Sequence, residues 1–196
     1  MTAPSAPPAV PRRLLHARLP RWLLPQAWPQ RQGQPLTATV SLGAGRIESV
    51  VPTDPALPAA PGDWNLAGAP VLPGLVDAHT HLDKTFTLPR MGQVQPGLLG
   101  AIEAMMADRM GWTAADVNER ASRALEWAWD AGCVHVRSHV DWWEADSIPV
   151  AWTVLAQLSQ RWRGRIRLEQ VSLMKLPLFE QLSQARRLAP WCRPLW

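Results

Sequence analysis

The stretch that most constrains this chain is Val71-Leu72-Pro73-Gly74-Leu75-Val76-Asp77-Ala78-His79-Thr80-His81-Leu82-Asp83-Lys84. An apolar run that leaves a Pro-Gly turn and ends in His-x-His reads as a buried strand, and its period of two puts His79 and His81 on one face. Two neutral imidazoles converging there can hold a single divalent ion. Asp83 and Lys84 then fall in the loop at the end where a buried parallel strand delivers its functional groups.

With 196 residues and 47% apolar content, the chain is long enough to bury a core in one or two domains. The net charge of +4 comes from arginine, since Lys84 and Lys175 are the only lysines. Those charges are scattered rather than gathered into a basic stripe interleaved with aromatics, which argues against nucleic acid as a partner. Cys133 and Cys192 have no Cys-x-x-Cys partner, so neither a thiolate zinc site nor a disulfide scaffold is expected, and a cytoplasmic location is the default. Met1–Arg13 lacks the charged start and apolar core of a signal peptide, and no apolar run approaches a membrane span.

Taken in order, residues 1–12 read as a disordered Pro/Ala-rich lead. Strands are predicted over Leu14–Leu19, Leu36–Val40 and Arg46–Val51, the last two joined at Gly43-Ala44-Gly45, with a short one over Trp64–Ala67. Residues 13–70 thus form a small β unit. The segment from Lys84 to Gly97 suits a loop over the mouth of a site, and Leu98–Met110 reads as a helix stopped by Gly111. Thr113-Ala114-Ala115-Asp116 resembles a capping box that opens a helix ending at Gly132. Strands over Val134–Val140 and Ile166–Leu173 flank a helix over Ile148–Trp162, so residues 71–180 alternate strand and helix as parallel βαβ units do. Phe179–Leu188 is a helix candidate. Residues 181–196 make an atypical tail, and Ala189–Trp196 has no regular period and two bare tryptophans, as in sequence read out of frame or a chain cut short.

The run Ala69–Phe86, with its Pro-Gly-Leu-Val-Asp-Ala-His-Thr-His-Leu-Asp-Lys centre, resembles the amidohydrolase superfamily, specifically its cytosine deaminase-like branch. Gly132-Cys133-Val134-His135-Val136-Arg137-Ser138-His139-Val140-Asp141 is similar to the second barrel strand of that branch, where Arg-Thr-His-Val-Asp is usual. The likeness runs from about Leu14 to about Phe179. It implies the α/β fold of a (β/α)8 TIM-type barrel, here incomplete with about three strands, preceded by part of a small β-sandwich. It also implies metal-dependent hydrolysis or deamination of a C–N bond in a cyclic amidine or amide of aminopyrimidine or triazine type. His79 and His81 would bind one Fe2+ or Zn2+, and full-length members would be homo-oligomers.

Several family parts have no counterpart in this sequence. None of the histidines His16, His79, His81, His135 and His139 is followed three positions later by glutamate, so the family's proton-shuttling Glu is absent. A catalytic zinc-type site usually takes three protein ligands, and a closed barrel takes roughly 250 residues. The resemblance therefore predicts a chain inactive by itself. A non-catalytic remnant, a barrel-completing partner and a dihydroorotase-like cyclic amide hydrolase are the alternatives.

Asp83, Lys84, His139, Asp141 and Lys175 are the candidate pocket residues. His139 and Asp141 have a structural reading beside the functional one, because the family's third ligand comes from elsewhere. His135 is expected to be a hydrogen-bonded core histidine, and Arg137 to need Asp77, Asp141 or Glu169 as its anion. Met174-Lys175-Leu176-Pro177 stands where cytosine deaminases carry Pro-Gln, which argues against cytosine itself as substrate. Trp142-Trp143 would pave a flat-ring pocket or anchor the core.

Overall fold

In this computed structural model residues 6–58 and 60–192 are described, so residues 1–5 and 193–196 of the expected lead and tail lie outside the described residues. The chain divides into two compact units, residues 1–73 and 74–196.

Among its described residues the first unit holds six strands: β1 (Arg13–Ala17), β2 (Gln30–Arg31), β3 (Gln34–Pro35), β4 (Ala38–Gly43), β5 (Arg46–Pro52) and β6 (Asp63–Asn65). One sheet runs β5-β4-β1-β6, antiparallel except for the parallel β1–β6 pair, and β2 and β3 form a separate small hairpin. Ala44 and Gly45 turn the β4–β5 hairpin with positive φ, as the expected turn requires. Ala17, Trp28, Ala38, Val40 and Leu66 make its core, and Arg13 grips the Asp63 carboxylate through two hydrogen bonds of 2.8 and 2.6 Å. The β2–β3 hairpin is too short to carry a pattern in the sequence.

The second unit runs β7 (Leu75–Thr80), α1 (Leu98–Arg109), α2 (Ala114–Asp130), β8 (Cys133–Trp142), α3 (Val150–Arg161), β9 (Arg167–Met174) and α4 (Leu182–Leu188). Its three strands are parallel in the order β7-β8-β9, with His135 opposite Arg167 and Trp142 opposite Met174. In α2 the apolar stripe Val117, Ala121 and Leu125 is fully buried, and α3 adds Leu155 and Leu158. Both pack on the even-numbered side of β8, where Val136, Ser138, Val140 and Trp142 are buried. The odd-numbered side carries His135, Arg137, His139 and Asp141.

The Thr113 hydroxyl accepts the Asp116 N–H at 3.1 Å, so the N-terminal cap of α2 forms as the sequence predicts, while Gly132 takes positive φ after its end. Replacing Thr113 by alanine is expected to cost about 1 kcal/mol, read from urea unfolding; a cost indistinguishable from zero would mean the cap is idle.

Three expectations are corrected. The strand after Pro73-Gly74 is an edge, with Leu75 and Val76 49% and 61% exposed rather than buried, because only β8 pairs with it in this unit. His135 is half-exposed rather than in the core, because odd positions of β8 face away from the helices; its Nε2 lies 3.0 Å from Glu169. Ala189–Cys192 is a 3-10 turn, and Trp191 packs on Trp142 rather than standing bare, since Leu188 and Trp191, three residues apart, bury on one side.

Candidate functional site

β7 and β8 end side by side, and the residues that leave them build the site. The rings of His79, His81 and His139 gather there, with centroids 5.5 Å apart for His79 and His81 and 4.1 Å for His79 and His139. His81 Nδ1 lies 2.7 Å from the His139 carbonyl. A carbonyl only accepts, so Nδ1 carries the proton and Nε2 is left with a free lone pair, the arrangement by which a backbone carbonyl orients a metal-binding imidazole. Burial, helped by the nearby Lys84 charge, lowers the His81 pKa below the usual histidine value; burial and His79 do the same to His139. Both imidazoles are thus neutral at pH 7, as ligation requires.

The turn that follows is fixed from three sides. Leu82 N–H donates to the buried Ser138 hydroxyl at 3.0 Å, and the Thr85 hydroxyl donates to the Leu82 carbonyl at 2.7 Å. Arg120, buried in α2, donates from Nη1 to the carbonyls of Asp83 at 2.5 Å and Thr85 at 3.0 Å, and from Nη2 to Asp116 at 2.7 Å. Arg90 ties the same Asp116 to Asp108 at the end of α1. Asp116 and Asp108 are held below the usual carboxylate range, Asp116 chiefly by hydrogen bonds from Arg90 and Arg120, and Asp108 by those from Arg90 and Trp112 acting against burial.

Asp83 is 2% exposed, and burial pushes its carboxyl up to about 6, with the Asp141 charge adding and Lys84 opposing. Lys84 Nζ pairs with Asp141 Oδ2 at 2.6 Å. Asp83 and Asp141 line a cavity of about 280 Å3 enclosed by the end of α1, the end of β8 and the start of α3. Lys84, His139 and Lys175 do not line it; Lys175 lies over the Trp143 ring at 4.2 Å. Trp143 is a cavity wall, whereas Trp142 is a core anchor. Arg137 finds its anion in Glu169, at 2.9 Å, and Arg167 shares it.

Among the described residues, no cluster of three or more His, Cys, Asp or Glu is arranged to hold a metal ion. The pair His79 and His81 therefore stands as a partial donor set. Arg120 and Ser138 escaped sequence reasoning. Arg120 did leave a signal: it falls on the apolar stripe of α2 beside Val117 and Ala121, where an unpaired arginine would be expensive.

No protein-family model matches the chain. Among curated proteins it is 30% identical over 142 residues to a pterin deaminase of Rhizobium rhizogenes, a match covering 72% of this chain and 32% of the relative. Among solved structures it is similar to 5-methylcytosine deaminase from Klebsiella pneumoniae liganded with 5-fluorocytosine, with TM-score 0.65 and 27% identity over 82% of this chain and 36% of that one. The fold also matches N-isopropylammelide isopropylaminohydrolase from Burkholderia multivorans, with TM-score 0.62 and 22% identity over 91% of this chain and 41% of that one. The chain spans about a third of the length of the curated relative it matches. No helix among the described residues is long and apolar enough to cross a membrane. With the Pro-Gly-x-x-Asp-x-His-x-His run delivered at the end of a parallel strand and these likenesses beside it, the chain belongs to the amidohydrolase superfamily.

Proposed function

We propose that this chain supplies the β-sandwich part and the first three barrel strands of a metal-dependent deaminase that hydrolyses a C–N bond of a small cyclic amidine or amide. The observation that carries the reading is the His79–His81 pair at the open end of β7, with the His81 tautomer set by the His139 carbonyl. The two rings fit one Fe2+ or Zn2+ as two of its ligands, gathered at one end of the strand, with His81 kept neutral by burial and free at its Nε2. When bound, such an ion lowers the pKa of a coordinated water to about 7 and so supplies hydroxide at neutral pH. His139 orients His81, Arg120 and Ser138 hold the turn that follows, and the Lys84–Asp141 pair fixes the rim.

The chain alone is expected to be catalytically silent. It offers two of the three protein ligands a catalytic site takes and no Glu in a His-x-x-Glu register. A second reading, a barrel-completing partner, is favoured by the exposed edge of β7, whose Leu75 and Val76 lie open to pairing.

Metal analysis tests the proposal. The purified chain dialysed against Zn2+ or Fe2+ is expected to hold it weakly and below one equivalent, and His79→Ala with His81→Ala is expected to abolish even that. A tight one-to-one ion that survives both substitutions would overturn the assignment. Release of ammonia from aminopyrimidines or aminotriazines by the chain alone would overturn the expectation of silence.

A further inference from the structure

Between α3 and β9 the run Arg161-Trp162-Arg163-Gly164-Arg165-Ile166-Arg167 places four arginines in seven residues. Arg167 stands opposite His135 near the start of β8, so the cluster lies at the end of the sheet opposite to that where His79 and His81 leave β7. Trp162 and Ile166 are buried and anchor the segment, whereas all four arginines are exposed. The turn is well held: Gly164 takes positive φ, and the Trp162 carbonyl accepts the N–H groups of Arg165 and Ile166 at 3.0 and 3.1 Å. The helix explains one of the four. Arg161 lies in the last turn of α3, where a cation complements the helix dipole, and its Nη1 donates to Asn118 at 3.2 Å. Arg163, Arg165 and Arg167 lie past that end and line one surface hollow of about 450 Å3, with Glu169 as the carboxylate among them. Glu169 is already shared by Arg137 at 2.9 Å, Arg167 at 3.0 Å and His135 at 3.0 Å. Among the described residues no carboxylate lies within ion-pair distance of Arg163 or Arg165. Three guanidiniums against one carboxylate leave the lining with two net positive charges. The Arg165 guanidinium is fixed over the Trp162 ring at 4.3 Å.

We propose that this hollow binds a compact phosphate chain, a diphosphate or triphosphate group, through the guanidiniums of Arg163, Arg165 and Arg167. Phosphate oxygens accept two parallel N–H bonds from one planar guanidinium, a fit that arginine offers and lysine does not. A volume of about 450 Å3 falls within the roughly 300–1,000 Å3 of small-molecule sites, and the net positive lining matches an anion of several charges. Because the turn is tied by backbone hydrogen bonds and Arg165 is stacked, little freedom is left to lose on binding. A nucleic-acid strand fits less well. Trp162 is 4% exposed and offers no face for a base to stack on, and the basic run ends within seven residues. The site uses neither the histidines nor a metal and does not rest on the proposed deaminase reading.

Calorimetric titration of the full chain, dialysed free of metal, with inorganic pyrophosphate and with ADP tests the proposal. Both are expected to bind, and the tighter of the two names the source, a free phosphate chain or that of a nucleotide. Sulfate, a single group of lower charge, is expected to bind about tenfold more weakly than pyrophosphate. Arg163→Gln and Arg165→Gln are each expected to weaken pyrophosphate about tenfold, the effect of losing one charge-assisted contact. Arg163→Lys is expected not to restore it. Both arginines are exposed, so the variants are expected to fold, as circular dichroism will show. Arg186→Gln removes the same charge from α4, which follows the other end of β9, and is expected to leave the affinity within about twofold. Equal losses in Arg163→Gln and Arg186→Gln, or full recovery by lysine, would reduce the hollow to a diffuse cationic field and overturn the proposal. No binding of pyrophosphate or ADP, or tighter binding of a thymidine oligonucleotide than of either, would overturn it as well.

Discussion

Replacing Trp142 by alanine is expected to cost about 3–5 kcal/mol, the range for truncating a buried aromatic, whereas the same change at Trp143 is expected to cost far less. Trp142 is 1% exposed at the end of β8, edge-on to Trp152 at 5.2 Å and tilted against Trp191 at 5.7 Å, so its removal opens the centre of the larger core. Trp143 points to the cavity wall and keeps only partial burial. Against a total stability of about 5–15 kcal/mol for a typical domain, the first change removes a large share. Trp142→Phe is expected to recover more than half of that loss. It restores most of the buried ring and removes an indole N–H that has no partner among the described residues. Urea unfolding followed by far-ultraviolet circular dichroism is the measurement. A Trp142→Ala midpoint near the parent's, or a larger loss at Trp143, would sink the assignment of core anchor and cavity wall.

Adjacent tryptophans with opposite duties mark how far the sequence can be read. Period two says that Trp142 and Trp143 face opposite ways, but it does not say which way is inward, because β8 carries valines at 134, 136 and 140 and tryptophan at 142 on one side and histidines, Arg137 and Asp141 on the other. That same alternation made the parallel βαβ order and the convergence of His79 and His81 legible from local signals, as were the Thr113 cap and the left-handed Gly132. What remained hidden depends on contacts between distant segments. Exposure of β7 follows from the number of strands that pair with it, and burial of Asp83 follows from α2 and β8 packing on its turn. The Lys84–Asp141 pair spans 57 positions, the difference of their numbers, and no local rule joins them. His135 was misplaced for the same reason: its strand is covered on one face in this unit, and the histidine lies on the other.

The histidine pair is only as well placed as the turn that follows it, and that turn hangs on α2. Removing the Arg120 side chain with Arg120→Ala is expected to destabilise the larger unit by about 3 kcal/mol. It strands two backbone carbonyls, of Asp83 and Thr85, and strips Asp116 of one of its two arginines. Arg120→Lys is expected not to rescue, because an ammonium is a single point charge and cannot span two carbonyls and a carboxylate as the guanidinium fork does. Acid separates the two roles. Asp116 titrates below its unfolded value of about 4 because Arg90 and Arg120 hold it ionised, so the stability it brings is complete above pH 4 and is lost as pH falls towards its folded value. Arg120 shares Asp116 with Arg90, and Asp116 is itself 24% exposed, so the part of this component lost with Arg120 is about 1 kcal/mol. The Arg120→Ala deficit should therefore shrink between pH 7 and pH 3 by about that much and no more, since the carbonyl contacts do not titrate. A deficit that vanishes at pH 3 would make Arg120 a partner of Asp116 alone, and one that stays below 1 kcal/mol at pH 7, or is cured by lysine, would release the His-x-His turn from α2 altogether.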